Sequence, residues 1–182
     1  PILAKDDSLI SFRKAMRAAR YVKPPLELLQ GDTGKPTSGD IKVNSNIIKR
    51  TLQNFGIMVE MAEVHIGPTV TQYTLRPAEG VKLSRIIALH NDLSLALAAH
   101  PIRIEAPIPG RSLAGIEVPN RSAARVGLRA LLEDTLFSQN TQSLLFALGR
   151  DVAGSPVFAD LARMPHLLIS GATGSGKSVA IH

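Results

Sequence analysis

The sequence predicts an α/β protein: an α+β sandwich, with helices against one face of a sheet, followed by a short strand that runs into a phosphate-binding loop. Three observations predict it. Apolar residues recur at helical spacing near residue 50 and again from 82 to 99. Runs rich in β-branched residues lie between and after them, joined by Gly-Pro and Pro-Gly turns. Near the other end, Gly171 to Ser178 fills every position of the pattern G-x-x-x-x-G-K-[ST].

In chain order, Leu9, Phe12 and Met16 predict a short basic amphipathic helix from Ser8 to about Arg20, with Arg13, Lys14, Arg17 and Arg20 on its other faces. Pro24 and Pro25 end it, and the turn-rich stretch Lys23 to Asp40 reads as a linker or an extended arm, so the compact part starts near Val43. Asn44 or Ser45 is the expected cap of a helix carrying Ile47, Ile48, Leu52 and Phe55, closed by Gly56. Strands follow at about Met58 to Ile66 and Thr69 to Arg76, a hairpin around Gly67-Pro68. A helical stretch from Lys82 to Ala99 is expected to break near His90 and Asn91. Ile102 to Ala106 and Gly115 to Val118 are strands flanking the turn Pro107 to Gly110, and a helix from Ser122 to Asp134 closes the unit.

A second unit opens near Ser143. Leu144 to Leu148 and Val157 to Leu161 are apolar around a turn at Asp151 to Gly154, which predicts a hairpin or strand pair. His166 to Ser170 then carries a short buried-strand signal that enters the loop.

Composition narrows the function classes. Hydrophobic residues make up 45% of the 182 and charged residues 20%, which excludes a disordered or collagen-like chain. There is no cysteine, hence no disulfide framework, thiolate nucleophile or Cys-based metal centre. A net charge of +6 favours anionic partners, while 4% aromatics and no Trp supply little for stacking single-stranded nucleic acid. The most apolar stretch, Ile86 to Ala99, is interrupted by His90, Asn91 and Asp92, and the first residues carry Lys5, Asp6 and Asp7, so neither a membrane span nor a signal peptide is expected and the chain itself should be soluble.

The loop carries the chemistry. A polyphosphate needs several donors converging on it, and only residues without side chains let backbone N–H groups bend around it. Gly171, Ala172, Thr173, Gly174, Ser175, Gly176, Lys177 and Ser178 are therefore the candidate nucleotide-binding residues. Lys177 is the catalytic candidate that carries charge to the β- and γ-phosphates, and Ser178 is the candidate ligand of Mg²⁺. A chance match of this pattern arises on the order of once in 200 sequences of this length, and the preceding apolar strand makes it rarer. Hydrolysis also needs an acidic residue near the end of another strand. Four residues follow Ser178, short of the roughly 12–15 a helix needs for marginal stability alone, so the natural protein is expected to continue and this chain alone to be inactive.

The run Met164-Pro165-His166-Leu167-Leu168-Ile169-Ser170-Gly171-Ala172-Thr173-Gly174-Ser175-Gly176-Lys177-Ser178-Val179 resembles the nucleotide loop of the FtsK/SpoIIIE family of bacterial DNA translocases. Pro24 to Leu29, Gly67 to Tyr73, Ile102 to Gly110 and Gly115 to Asn120 agree with that family in order, and the resemblance spans Pro24 to Ile181. It implies a homo-hexameric ring motor that uses ATP and Mg²⁺ to move double-stranded DNA in chromosome segregation and cell division, with division and recombination proteins as partners. The implied location is the cytoplasmic face of the bacterial inner membrane, with the full-length protein membrane-anchored. The implied organisation is an N-terminal helix and linker over 1–42, an α (collar) subdomain over 43–135, and over 143–182 the first strands and Walker A loop of a truncated RecA-like P-loop ATPase core. His182 departs from the Asn expected there. Two other readings remain: a coupling ATPase of a conjugation or secretion system, and a non-enzymatic assembly or DNA-binding module.

Other residues weigh less. The five histidines have no paired ligand spacing, and Asp92, Glu105 and Glu117 belong to the first unit, away from Lys177. Arg121, Arg125 and Arg129 recur every four residues, a candidate stripe facing DNA or a neighbouring subunit on the helix expected there.

Overall fold

The structure, a computed structural model, describes residues 22–182. The basic helix expected at Ser8 to Arg20 lies outside them. Helix α1, Ile41–Asn54, starts one turn before the expected cap, because Asp40 does the capping: its carboxylate accepts the N–H groups of Lys42 and Val43 at 2.9 and 3.1 Å. Asn44, displaced into the first turn, instead donates to the Tyr73 hydroxyl at 3.1 Å. Ile48 and Leu52 are the buried stripe of α1, while Phe55 stays 47% exposed.

Strands β1 (Val59–Ile66) and β2 (Val70–Pro77) form the expected hairpin, closed by Gly67 N–H donating to the Val70 carbonyl at 2.9 Å. The 82–99 stretch is two helices, α2 (Leu83–Ala88) and α3 (His90–Leu97), with the break where His90 predicted it. The His90 Nε2 then meets the Ile102 carbonyl at 3.0 Å, anchoring the break to the start of the next strand. Strands β3 (Arg103–Glu105) and β4 (Ala114–Pro119) complete an antiparallel sheet of order β1-β2-β4-β3.

Strand alternation divides this sheet into two faces. Tyr73, Leu75, Ala114 and Ile116 are fully buried with Ile48, Leu52, Ile86 and Leu93, a core between helices and sheet. Gln72, Thr74 and Glu117 are also buried, on the far face, where the β3–β4 loop returns: Ile108 and Gln72 crowd the place a Cβ on Gly115 would take, and Arg111 lies 3.7 Å from Glu63.

The helix expected at Ser122 to Asp134 is mostly not one. Only α4 (Leu128–Leu132) and the short α5 (Thr135–Ser138) are helical. Ser122 and Arg125 instead pair with Thr37 and Thr33 of the N-terminal stretch, and those backbone bonds occupy the groups a helix would have used. Of the two readings of this stretch, linker or extended arm, the structure shows a docked arm, with a 3₁₀ turn at Leu26–Leu28.

In the second unit β5 (Leu145–Arg150) and β6 (Pro156–Asp160) form the expected antiparallel pair, fastened to α5 by Phe137 and Phe158 with ring centroids 5.6 Å apart. The buried strand expected at His166 to Ser170 is absent: the segment pairs with no strand among the described residues, and Leu168 is 89% exposed. An apolar run becomes a strand only where a neighbour supplies ladder partners for its N–H and C=O groups.

Candidate functional site

The loop Gly171 to Gly176 turns the chain from this segment into α6, Lys177–Ile181. Gly174 and Gly176 have φ of +80° and +90°, the left-handed region where a side chain is strained. At Gly171 the Ser175 hydroxyl folds back over the chain, its oxygen 2.5 Å from where a Cβ would stand. One turn bond, Ser175 N–H to the Ala172 carbonyl at 3.2 Å, fixes the bend.

The Lys177 side chain curls back over this bend. Its ammonium donates to the Gly171 carbonyl and to the Ala172 carbonyl, the latter at 2.8 Å. Among the described residues the positive charge is thus held by neutral carbonyls at the start of the loop, acceptors weaker than an anion's oxygens. Ser178 lies in the first turn of α6 with an exposed side chain, and first-turn N–H groups have no acceptor within a helix. The eight residues singled out by the motif therefore share one bend, in which the Lys177 ammonium rests on the loop's own carbonyls and the Ser178 side chain is exposed.

Among the described residues, no carboxylate pairs with Lys177. Asp151 accepts from the N–H groups of Ala153 and Ser155, and Asp160 from that of Ala162, so both second-unit carboxylates are engaged locally. Asp92, Glu105 and Glu117 stay with α3, β3 and β4 of the first unit. Burial raises the pKa of Glu117; Arg103, 3.8 Å away, opposes the rise and Glu105 adds to it. No group of three His, Asp or Glu suited to a metal occurs among the described residues. The arginine stripe dissolves: Arg121 and Arg125 precede α4, and Arg129 pairs with Glu133 at 2.7 Å.

The sequence reasoning missed one constellation. Asp32 accepts the Gly127 N–H at 2.7 Å through one oxygen and meets Arg150 at 3.2 Å through the other. Nothing local in the sequence marks partners separated by 95 and 118 positions.

The model of the FtsK alpha domain matches residues 23–120, more than half of the chain, and that of the FtsK/SpoIIIE family matches residues 127–182. The chain belongs to the FtsK/SpoIIIE family. It is similar to a protein named DNA translocase FtsK from Staphylococcus epidermidis, 49% identical over 164 residues, which are 89% of this chain and 20% of that protein. A protein of the same name from Oceanobacillus iheyensis is 54% identical over 74% of this chain and 17% of its own length. The chain thus spans about a fifth of the length of the curated relatives it matches. A solved structure, the pCW3 conjugation coupling protein TcpA in monomer form with ATPγS, overlaps 76% of this chain and 40% of its own at a TM-score of 0.34 and 16% identity, too loose a likeness to argue from. No helix among the described residues is long and apolar enough to cross a membrane.

Proposed function

We propose that this chain is part of an ATP-driven translocase of double-stranded DNA, with residues 43–135 as its α (collar) subdomain and residues 143–182 opening its nucleotide-binding subdomain. The observation that carries the nucleotide reading is the Lys177 ammonium folded onto the carbonyls of a glycine loop with two left-handed glycines. Gly171, Ala172, Thr173, Gly174, Ser175 and Gly176 would surround the phosphates of ATP, Lys177 would exchange the Gly171 and Ala172 carbonyls for phosphate oxygens, and the Ser178 hydroxyl would hold Mg²⁺. ATP would supply the phosphoryl-transfer energy. The relatives' name supports DNA as the substrate. A homo-hexameric ring, division and recombination proteins as partners, and a place at the cytoplasmic face of the inner membrane follow the family resemblance and belong to the same proposal.

Lys177→Ala in the full-length protein is expected to abolish ATP hydrolysis and DNA translocation, since this chemistry rests on positioning and charge stabilisation with little else to substitute. Residues 1–182 alone are expected to show no turnover, because both second-unit carboxylates are engaged away from the loop. Hydrolysis by full-length protein that survives Lys177→Ala, measured as phosphate release with and without duplex DNA, would falsify the proposal.

A further inference from the structure

The two units meet along a seam. The turn of the β1–β2 hairpin touches that of β5–β6, the place of a Cβ on Gly67 lying 2.8 Å from the Val152 carbonyl oxygen. Beside this contact is a cleft of about 120 Å³ lined by Pro68, Val70, Val126, Arg150 and Val152, among other residues. Side chains also pack at this seam, Leu131 of α4 being 4% exposed and Phe137 lying against Phe158, so any further constraint acts beside them.

The N-terminal stretch crosses that seam. Thr33 exchanges two backbone hydrogen bonds with Arg125, at 3.0 and 2.8 Å. Thr37 N–H donates to the Ser122 carbonyl at 2.9 Å, and its carbonyl accepts from Arg121 at 2.8 Å. At Gly127, just before α4, the stretch presses so close that a Cβ would lie 2.3 Å from the Gly31 carbonyl carbon. Asp32 then joins three segments: Gly127 N–H through one oxygen, and through the other the guanidinium of Arg150 at the end of β5, itself braced on the Gly154 carbonyl at 3.1 Å.

We propose that residues 22–39 are a strap that sets the orientation of the second unit against the four-stranded unit, with Asp32 as its pin. The backbone bridges fix the strap to the junction; the Asp32–Arg150 pair transmits its position to the β5–β6 hairpin. The pair is the releasable part, since Asp32 is 44% exposed and an exposed ion pair is weakened by salt. The inference stands whether or not the loop binds a nucleotide.

Hydrogen exchange on the full chain tests it. Asp32→Ala is expected to speed exchange of segments 30–39 and 121–129 about tenfold, the loss of a hydrogen bond to a charged acceptor, and to leave α1 and β2 unchanged. Asp32→Asn keeps an acceptor for Gly127 N–H and loses the charge, so the rise in 30–39 exchange that 1 M salt produces in the wild type is expected to vanish. Because the chain has no native cysteine, spin labels at Asn46→Cys on α1 and Leu148→Cys on β5 report the angle between units; Arg150→Gln is expected to broaden their distance distribution. An unchanged distribution in Arg150→Gln, or unchanged 30–39 exchange in Asp32→Ala, overturns the strap. Should Asp32→Ala lose protection throughout the sheet, the salt response of Asp32→Asn decides: a response equal to wild type overturns it as well.

Discussion

Tyr73 to Leu75 in the first unit and Leu167 to Ile169 in the second are both short apolar-rich runs, yet their fates diverge. Tyr73, Thr74 and Leu75 are wholly buried, whereas Leu167, Leu168 and Ile169 are 49, 89 and 43% exposed. The first run has β1 and β4 on its two sides and α1 and α3 over one face; the second has no strand beside it among the described residues. A hydrophobic sequence specifies a strand only conditionally, through the neighbours that complete its ladder and the layer that covers it.

The contrast can be broken hardest in the core. Leu52→Ala removes a fully buried side chain between α1 and the sheet and is expected to cost about 2–5 kcal/mol in urea unfolding, while Leu168→Ala is expected to stay within about 0.5 kcal/mol. Equal losses at both positions would mean that the second unit has a core of its own. A smaller effect is expected at the start of α1: Asp40→Ala leaves two first-turn N–H groups without their acceptor and should cost about 0.5–2 kcal/mol, measured in the same way.

The smallest expected effect lies on the far face of the sheet. Burial raises the Glu117 pKa in the folded chain above the ordinary 4.5, so the stabilising contribution of its neutral form is complete below 4.5 and is lost as pH rises through the folded value. Lowering the pH from neutrality is therefore expected to favour the wild type over Glu117→Gln in urea midpoints. A difference between the two that stays constant with pH would contradict the burial argument.

Much of the first unit was legible because its signals are local and mutually consistent. The Gly67-Pro68 turn, the interruption at His90 and the turn after Pro107 each fall where the elements end. The misreadings share one cause. Asn44 and Ser45 looked like caps, but Asp40 one turn earlier had the better geometry; Ser122 to Val126 kept a helical pattern, but backbone pairing with Thr33 and Thr37 took precedence. In both places the deciding partner lay outside the window in which the pattern was read.

At the candidate site the division is different again. The sequence alone marked which residues form the loop, because its pattern of glycines with a lysine at a fixed offset is written in consecutive residues. It determined the family as well, through short segments preserved in order. Tertiary structure decided that the Lys177 ammonium rests on the loop's own carbonyls, that Leu167 to Ile169 stays uncovered, and that Asp32 reaches both Gly127 and Arg150. These depend on distances between residues far apart in the chain, or on which acceptors and layers are present, and such quantities come into being only when the chain has folded.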